Sequence, residues 1–109
     1  MGEVAFFQMT GSVLALYGHE PLARDAGFSA NTPHGFRGVA CAINLASESE
    51  VDDVLRQVEA AGGQITKRAV HADWGGYSAY FSDPDGNAWE VAHNPGFAFD
   101  ANGAVILPE

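Results

Sequence analysis

Apolar residues recur along this chain with two different periods, and the switch between them outlines the fold. Residues 3–9 (EVAFFQM) and 12–17 (SVLALY) are short strand-like runs separated by Thr10-Gly11, a hairpin signature. From 18 to 35 the pattern dissolves into a polar loop holding three glycines, Pro21 and Pro33. Within it, Pro21 to Ala26 reads as a short helical turn with proline at its start. Residues 38–45 form the next strand. The period then changes: Val51, Val54, Leu55 and Val58 fall at i, i+3, i+4, i+7, one face of a helix. Ser47 and Glu50 have the spacing of a capping box, and Gly62-Gly63 stops the helix. Asp52 and Arg56 sit for a weak i,i+4 pair on its solvent side.

Alternation returns at 64–70 (QITKRAV), an exposed or edge strand, and continues in 77–82 and 88–93. Asp83-Pro84-Asp85-Gly86-Asn87 joins the last two. This turn supplies a preset φ, an Asx side chain and a residue tolerant of φ > 0, so it is a strong hairpin signal. The second strand of that hairpin carries one carboxylate, Glu90, among Trp89, Val91 and Ala92. An acid in an otherwise apolar strand is costly unless it lines a wet pocket, a metal site or a paired charge. Function is therefore sought there first.

From Gly38 onward the order is β-α-β-β-β, and two strands precede it. Strand parity divides 38–45 into a bulky face (Val39, Cys41, Ile43, Leu45) and a slender one (Gly38, Ala40, Ala42, Asn44). Strand 88–93 divides the same way, with Ala88, Glu90 and Ala92 on the slender side. The bulky face is expected to cover the helix. With both slender faces turned alike, the sheet curls around a cavity with Glu90 on its wall. The class is α+β with a curled mixed sheet. The tail, 96–109, holds Phe97, Phe99, Val105, Ile106 and Leu107, enough apolar surface to pack against the rest.

Composition narrows the partners. The 109 residues suit a single domain, and the net charge of −9 disfavours nucleic acid and anionic membrane. No apolar stretch has the length of a membrane helix and no signal peptide precedes the first strand, so a cytoplasmic location is expected. Cys41, the lone cysteine, is expected to be buried and inert. No phosphate-binding glycine loop, Cys-x-x-Cys or nucleophile elbow is present, so no catalytic residue is assigned.

The element order together with FSDPDGNAWEVAHNP resembles the vicinal oxygen chelate superfamily, which includes glyoxalase I, bleomycin-resistance proteins and extradiol dioxygenases. The resemblance implies paired β-α-β-β-β modules around a common cavity, many of them holding a divalent metal. Residues 38–95 look like a complete second module. Residues 3–17 look like the last strands of a first module whose opening strand and helix are lacking.

Carried over residue by residue, the resemblance places one metal ligand at Glu90. It puts another at Gly38 and a third at about Ala15, neither of which offers a side-chain donor, and the fourth on the lacking strand. Glu90 is therefore read as a pocket carboxylate, hydrogen-bonded or paired with a ligand's cation, rather than as a metal ligand. Of the histidines, His93 lies opposite Glu90 by parity, His71 is placed to lean over the cavity mouth, and His19 and His34 fall in loops.

The expected ligand-binding set is Glu90, Gly38, Ala40, Ala42, Asn44, Ala15, Tyr17, Trp74 and Tyr80. Trp89 and Phe81 are assigned to packing. The leading expectation is a protein that binds a small, largely apolar molecule without metal or other cofactor. The alternatives are a metal-dependent lyase, isomerase or dioxygenase, and an incomplete module that acts through self-association. A homodimer, with or without exchanged strands, is expected because the lacking elements leave sheet surface uncovered.

Overall fold

The computed structural model describes residues 4–29 and 35–108. In chain order the elements are β1 (Val4–Gln8), β2 (Val13–Tyr17), α1 (His19–Ala26), β3 (Ala40–Asn44), α2 (Glu48–Ala60), β4 (Gln64–His71), β5 (Tyr77–Ser82), β6 (Ala88–His93), β7 (Ala98–Phe99) and β8 (Val105–Ile106). One mixed sheet has the order β3-β6-β5-β4, with β3 parallel to β6 and the other neighbours antiparallel. β1 and β2 pair as a separate hairpin, and β7 and β8 as another. His34 lies outside the described residues.

The two helices take opposite faces of the four-stranded sheet. Tyr77, Ala79 and Phe81 of β5 share a side with Trp89, Val91 and His93 of β6, and α2 packs there. Val51, Ala79 and Val91 are completely buried between them. Ser47 starts α2 as expected: its hydroxyl accepts from the Glu50 N–H at 3.3 Å, and the Glu50 carboxylate accepts from the Ala46 N–H at 2.9 Å.

Three expectations on this face are corrected. α2 packs mainly on β4, β5 and β6, so the bulky face of β3 lies largely outside its cover, with Ile43 and Leu45 half-buried. Consequently Cys41 is exposed rather than buried, and Val39 is 67% exposed. Asp52 does not pair with Arg56, which bonds Asp53 instead. Asp52 accepts the Tyr77 hydroxyl at 2.7 Å, because it lies on the flank of α2 nearest the sheet.

The region expected to be mostly loop holds a two-turn helix. α1 begins two residues before Pro21, and a first-turn proline costs no intrahelical bond. Gly27 ends it at φ 77°, while the Phe28 N–H bonds back to the Ala23 carbonyl at 2.9 Å. Glycine is required twice over at this position, since an added Cβ would lie 2.3 Å from the Thr66 carbonyl oxygen of β4. Ala23 and Phe36 bury Ala88, with Leu22, Phe28 and Ala40 around them.

The C-terminal tail packs as anticipated. Phe97 meets Phe6 edge-on at 6.2 Å, and Gln8 bonds the Val105 carbonyl and the Leu107 N–H across β7–β8. Among the described residues, no helix is long and apolar enough to cross a membrane.

Candidate functional site

The 83–87 turn fixes the strands that carry the site. The Asp83 carboxylate accepts from the Asp85 and Asn87 N–H groups, from Asn87 Nδ2 and from the Trp89 indole, at 2.9–3.1 Å. Those bonds hold its carboxyl down at about 2, the Asn87 N–H contributing most. The register they set makes Tyr80 the direct cross-strand partner of Glu90. Both point to the α1 side of the sheet, along with Ser78, Ser82, Ala88 and Ala92.

Two further residues reach this face by local irregularities. On β4, Ile65 pairs with Phe81 but Lys67 pairs with Tyr80, so one extra residue is inserted between them. That bulge turns Lys67 away from the side of Ile65 and toward Glu90. Asp25 comes down from α1: its two oxygens meet Lys67 Nζ at 3.0 Å and the Tyr80 hydroxyl at 2.7 Å. Thr66 adds a bond from its hydroxyl to the Ala26 carbonyl at 2.8 Å. Asp25 and Lys67 join the predicted pair Glu90 and Tyr80 as one cluster.

Two carboxylates here share one ammonium. Lys67 makes its ion pair with Asp25, which leaves Glu90 the less compensated acid in a largely desolvated position. Burial first, and the nearby Asp25 charge second, push its carboxyl up to about 7, against the pull of the Tyr80 hydroxyl and Lys67. The Tyr80 phenol is driven far above its ordinary range by burial, then by Glu90 and Asp25, and stays a proton donor. A carboxyl that titrates near neutrality can hold a proton, release it, or exchange it for a ligand's cation.

The other predicted residues distribute around this cluster unevenly. Ala42 is the cross-strand partner of Glu90 on β3 and is exposed, so the space over it is open; Ala40 and Asn44 flank it, half-buried. The expected hollow is narrowed at its Ala40–Ala88 end, where Phe36 and Leu22 rest on the small residues. Gly38 stands against the His19 ring. Tyr17 lies near enough to Tyr80 to act on it electrostatically, and Ala15 is exposed on the same side of β2. Trp74 lies apart, 59% exposed in the β4–β5 turn with its ring over Gly76.

His71 does not lean over the Glu90 side. It bonds Glu48 of α2 at 2.9 Å and lies against the Tyr77 ring at a tilt of 43°, which places it on the opposite face. His93 is on that face too, as parity indicated, bonded to the Leu45 carbonyl. Phe81 and Trp89 stack nearly parallel at 6.3 Å, in keeping with their assignment to packing. Two clefts border the sheet. One of about 260 Å³, lined by Arg37, Val39, Cys41 and Trp89, is on the far side from Glu90. Another of about 320 Å³, between Phe28 and Gln64, Thr66 and Ser82, is on the Glu90 side.

The family model of the Glyoxalase/Bleomycin resistance protein/Dioxygenase superfamily matches residues 1–91. The chain belongs to this superfamily. A glyoxalase-related enzyme from Fulvimarina pelagi is similar in sequence and structure, with 36% identity and a TM-score of 0.64 over 98% of this chain and 76% of that one. A glyoxalase/bleomycin resistance protein/dioxygenase from Nocardioides shares 27% identity at a TM-score of 0.50, over 85% of this chain and 62% of that one. The chain thus spans less than two thirds of the Nocardioides protein. The NAD-dependent benzaldehyde dehydrogenase from Legionella pneumophila has a TM-score of 0.62 over 84% of this chain and 71% of that one; at 23% identity it shows the fold alone. Among curated proteins, none matches the chain.

Superfamily membership makes a divalent metal the natural cofactor to test against these residues. Gly38 and Ala15 offer no side-chain donor. Among the described residues no three His, Cys, Asp or Glu side chains converge as a metal site. The donors at Glu90 are Asp25 and the Tyr80 hydroxyl, and Asp25 already holds an ammonium that repels a dication. These residues do not fit a divalent ion.

Proposed function

We propose that the protein binds a small, largely apolar molecule over the slender face of the sheet, without metal, and anchors it by Glu90. The observation that carries this reading is the charge arrangement. Glu90 is the acid left over when Asp25 takes Lys67, and it sits beside exposed Ala42, where a ligand can approach. A cationic or neutral group is favoured at that position, because it replaces the proton that Glu90 otherwise keeps. The anionic surface of the chain disfavours anions further.

Benzylamine, benzyl alcohol and benzoate form a matched series of cation, neutral and anion for the test, followed by amide chemical shifts. Saturable shifts at Ala42, Tyr80 and Glu90, strongest with benzylamine and absent with benzoate, are expected. Glu90→Gln should remove the preference for the amine over the alcohol. Shifts confined to Arg37, Cys41 and Trp89 would move the site to the other face and overturn the reading. Stoichiometric metal that a chelator removes, with binding lost alongside, would favour a metal-dependent lyase, isomerase or dioxygenase instead.

A further inference from the structure

We propose a second small-molecule site, on the α2 face of the sheet where β3 lies beyond the helix, for a single-ring apolar molecule that bears a carboxylate. It shares no residue with the Glu90 cluster and stands or falls apart from it. The cleft of about 260 Å³ there is lined by Val39 and Cys41 of β3 and by Trp89, the cross-strand partner of Cys41 on β6. Val39 and Cys41 are open to solvent because α2 packs mainly on the other strands. Arg37 and the 83–87 turn complete the lining.

Three observations select the class of ligand. The first is charge. Arg56, Lys67 and Arg68 each meet a carboxylate, whereas Arg37 bonds a neutral group, the Asn87 amide oxygen, at 3.2 Å. Asp83 also lines the cleft, but its oxygens already accept from Asp85, Asn87 and Trp89, so they hold the turn rather than the guanidinium. Its charge opposes an anion in part, which keeps the expected affinity modest. The second is placement. Gly86 turns at φ 85°, and a Cβ there would lie 3.0 Å from Arg37 Nη2, so glycine lets the guanidinium rest over the turn. Bonded to Asn87 and seated on Gly86, Arg37 is in position before a ligand arrives, and less freedom is lost on binding. The third is size. The volume falls just below the roughly 300 Å³ at which pockets for drug-sized molecules begin, so one ring fits and a larger body does not. Val39, Cys41 and Trp89 offer that ring apolar contact, while the guanidinium fork matches a carboxylate.

Benzoate tests this against benzyl alcohol, which keeps the ring without the charge, and acetate, which keeps the charge without the ring. Amide and indole N–H shifts locate binding. The rate at which iodoacetamide alkylates Cys41, the single cysteine of the chain, measures occupancy. Saturable shifts at Val39, Cys41 and the Trp89 indole are expected with benzoate and weaker ones with either fragment, and alkylation should slow in proportion to occupancy. Arg37→Gln should weaken benzoate about fivefold and leave benzyl alcohol unaffected. Arg24→Gln, the same change of charge on α1, should alter neither. Benzoate that binds no better than benzyl alcohol, or equally well after Arg37→Gln, would overturn the proposal. So would an equal weakening by Arg24→Gln, which marks an effect of net charge alone. Benzylamine shifts at Ala42, Tyr80 and Glu90 report the other face separately, so failure at one site is told apart from failure at the other.

Discussion

The two faces of the four-stranded sheet are built on opposite terms. On the α2 side, a helix with a formed capping box lays Val51 over Val91 and Ala79, and all three are fully buried. On the α1 side, an eight-residue helix contributes only Ala23 and Ala26 as buried residues and is held by the Asp25 and Thr66 side chains. One face stores stability chiefly in apolar contacts that do not titrate, alongside the Tyr77–Asp52 and His71–Glu48 bonds. The other keeps a carboxyl near its neutral point and so gives up stability to hold it there. The largest expected effect follows from Glu90. Its carboxyl is raised to about 7 in the folded chain, above its unfolded value, so the folded state retains a proton the unfolded state has lost. Stability then falls as pH rises between the two values and stays low above the higher one. Glu90→Gln should stabilise the protein by about 3 kcal/mol at about pH 8, and the gain should vanish toward about pH 4. Chemical denaturation across that window measures it, and a gain independent of pH would erase the contrast between the faces.

The α2 side should answer differently. Val51→Ala removes two carbons from a site with no exposed surface and should cost about 2 kcal/mol. Val51→Ala neither adds nor removes a titrating group, so the cost should be the same at about pH 5 and about pH 8. Binding of benzylamine should keep its affinity, since the altered packing lies across the sheet from Glu90. Unfolding curves for both variants at both pH values sharpen the comparison: one difference follows pH and the other does not.

Much of the α2 side could be read from residue order, because each signal there is local. The 47–63 helix declares its start in Ser47 and Glu50, its face in the spacing of four apolar residues, and its end in Gly62. The 83–87 turn fixes the parity that puts Glu90 opposite His93, and with it the side Glu90 faces. The α1 side resisted for reasons of the same kind. Its helix has few apolar positions, and glycines and prolines around it mask the period, so tertiary bonds rather than propensity hold it. Lys67 was missed because strict alternation assigns it to the side of Ile65, and only the bulge reverses it. Asp25 lies 42 residues from Lys67 and 55 from Tyr80, separations at which no spacing rule operates. The exposure of Cys41 was hidden for a third reason: alternation gives a strand's faces but not how far a neighbouring helix extends.

The smallest expected effect separates the two causes that raise Glu90. Burial is the larger and depends on the fold; the Asp25 charge is the smaller and can be removed alone. Asp25→Asn keeps an acceptor for the Tyr80 hydroxyl but releases Lys67 from its ion pair at 3.0 Å. Glu90 then loses a repelling neighbour, and the freed ammonium becomes available to it. Its carboxyl should titrate lower than in the parent chain while staying above the ordinary range, since burial persists. Carboxyl carbon shifts in a side-chain-labelled sample follow that titration directly. The same variant should weaken benzylamine, because Lys67 now competes for the anchoring charge, and should affect benzyl alcohol less. If the Glu90 titration did not move, the coupling of α1 to the sheet through Asp25 would be structural only. The contrast between the two faces would then rest on burial of Glu90 rather than on the charges arranged around it.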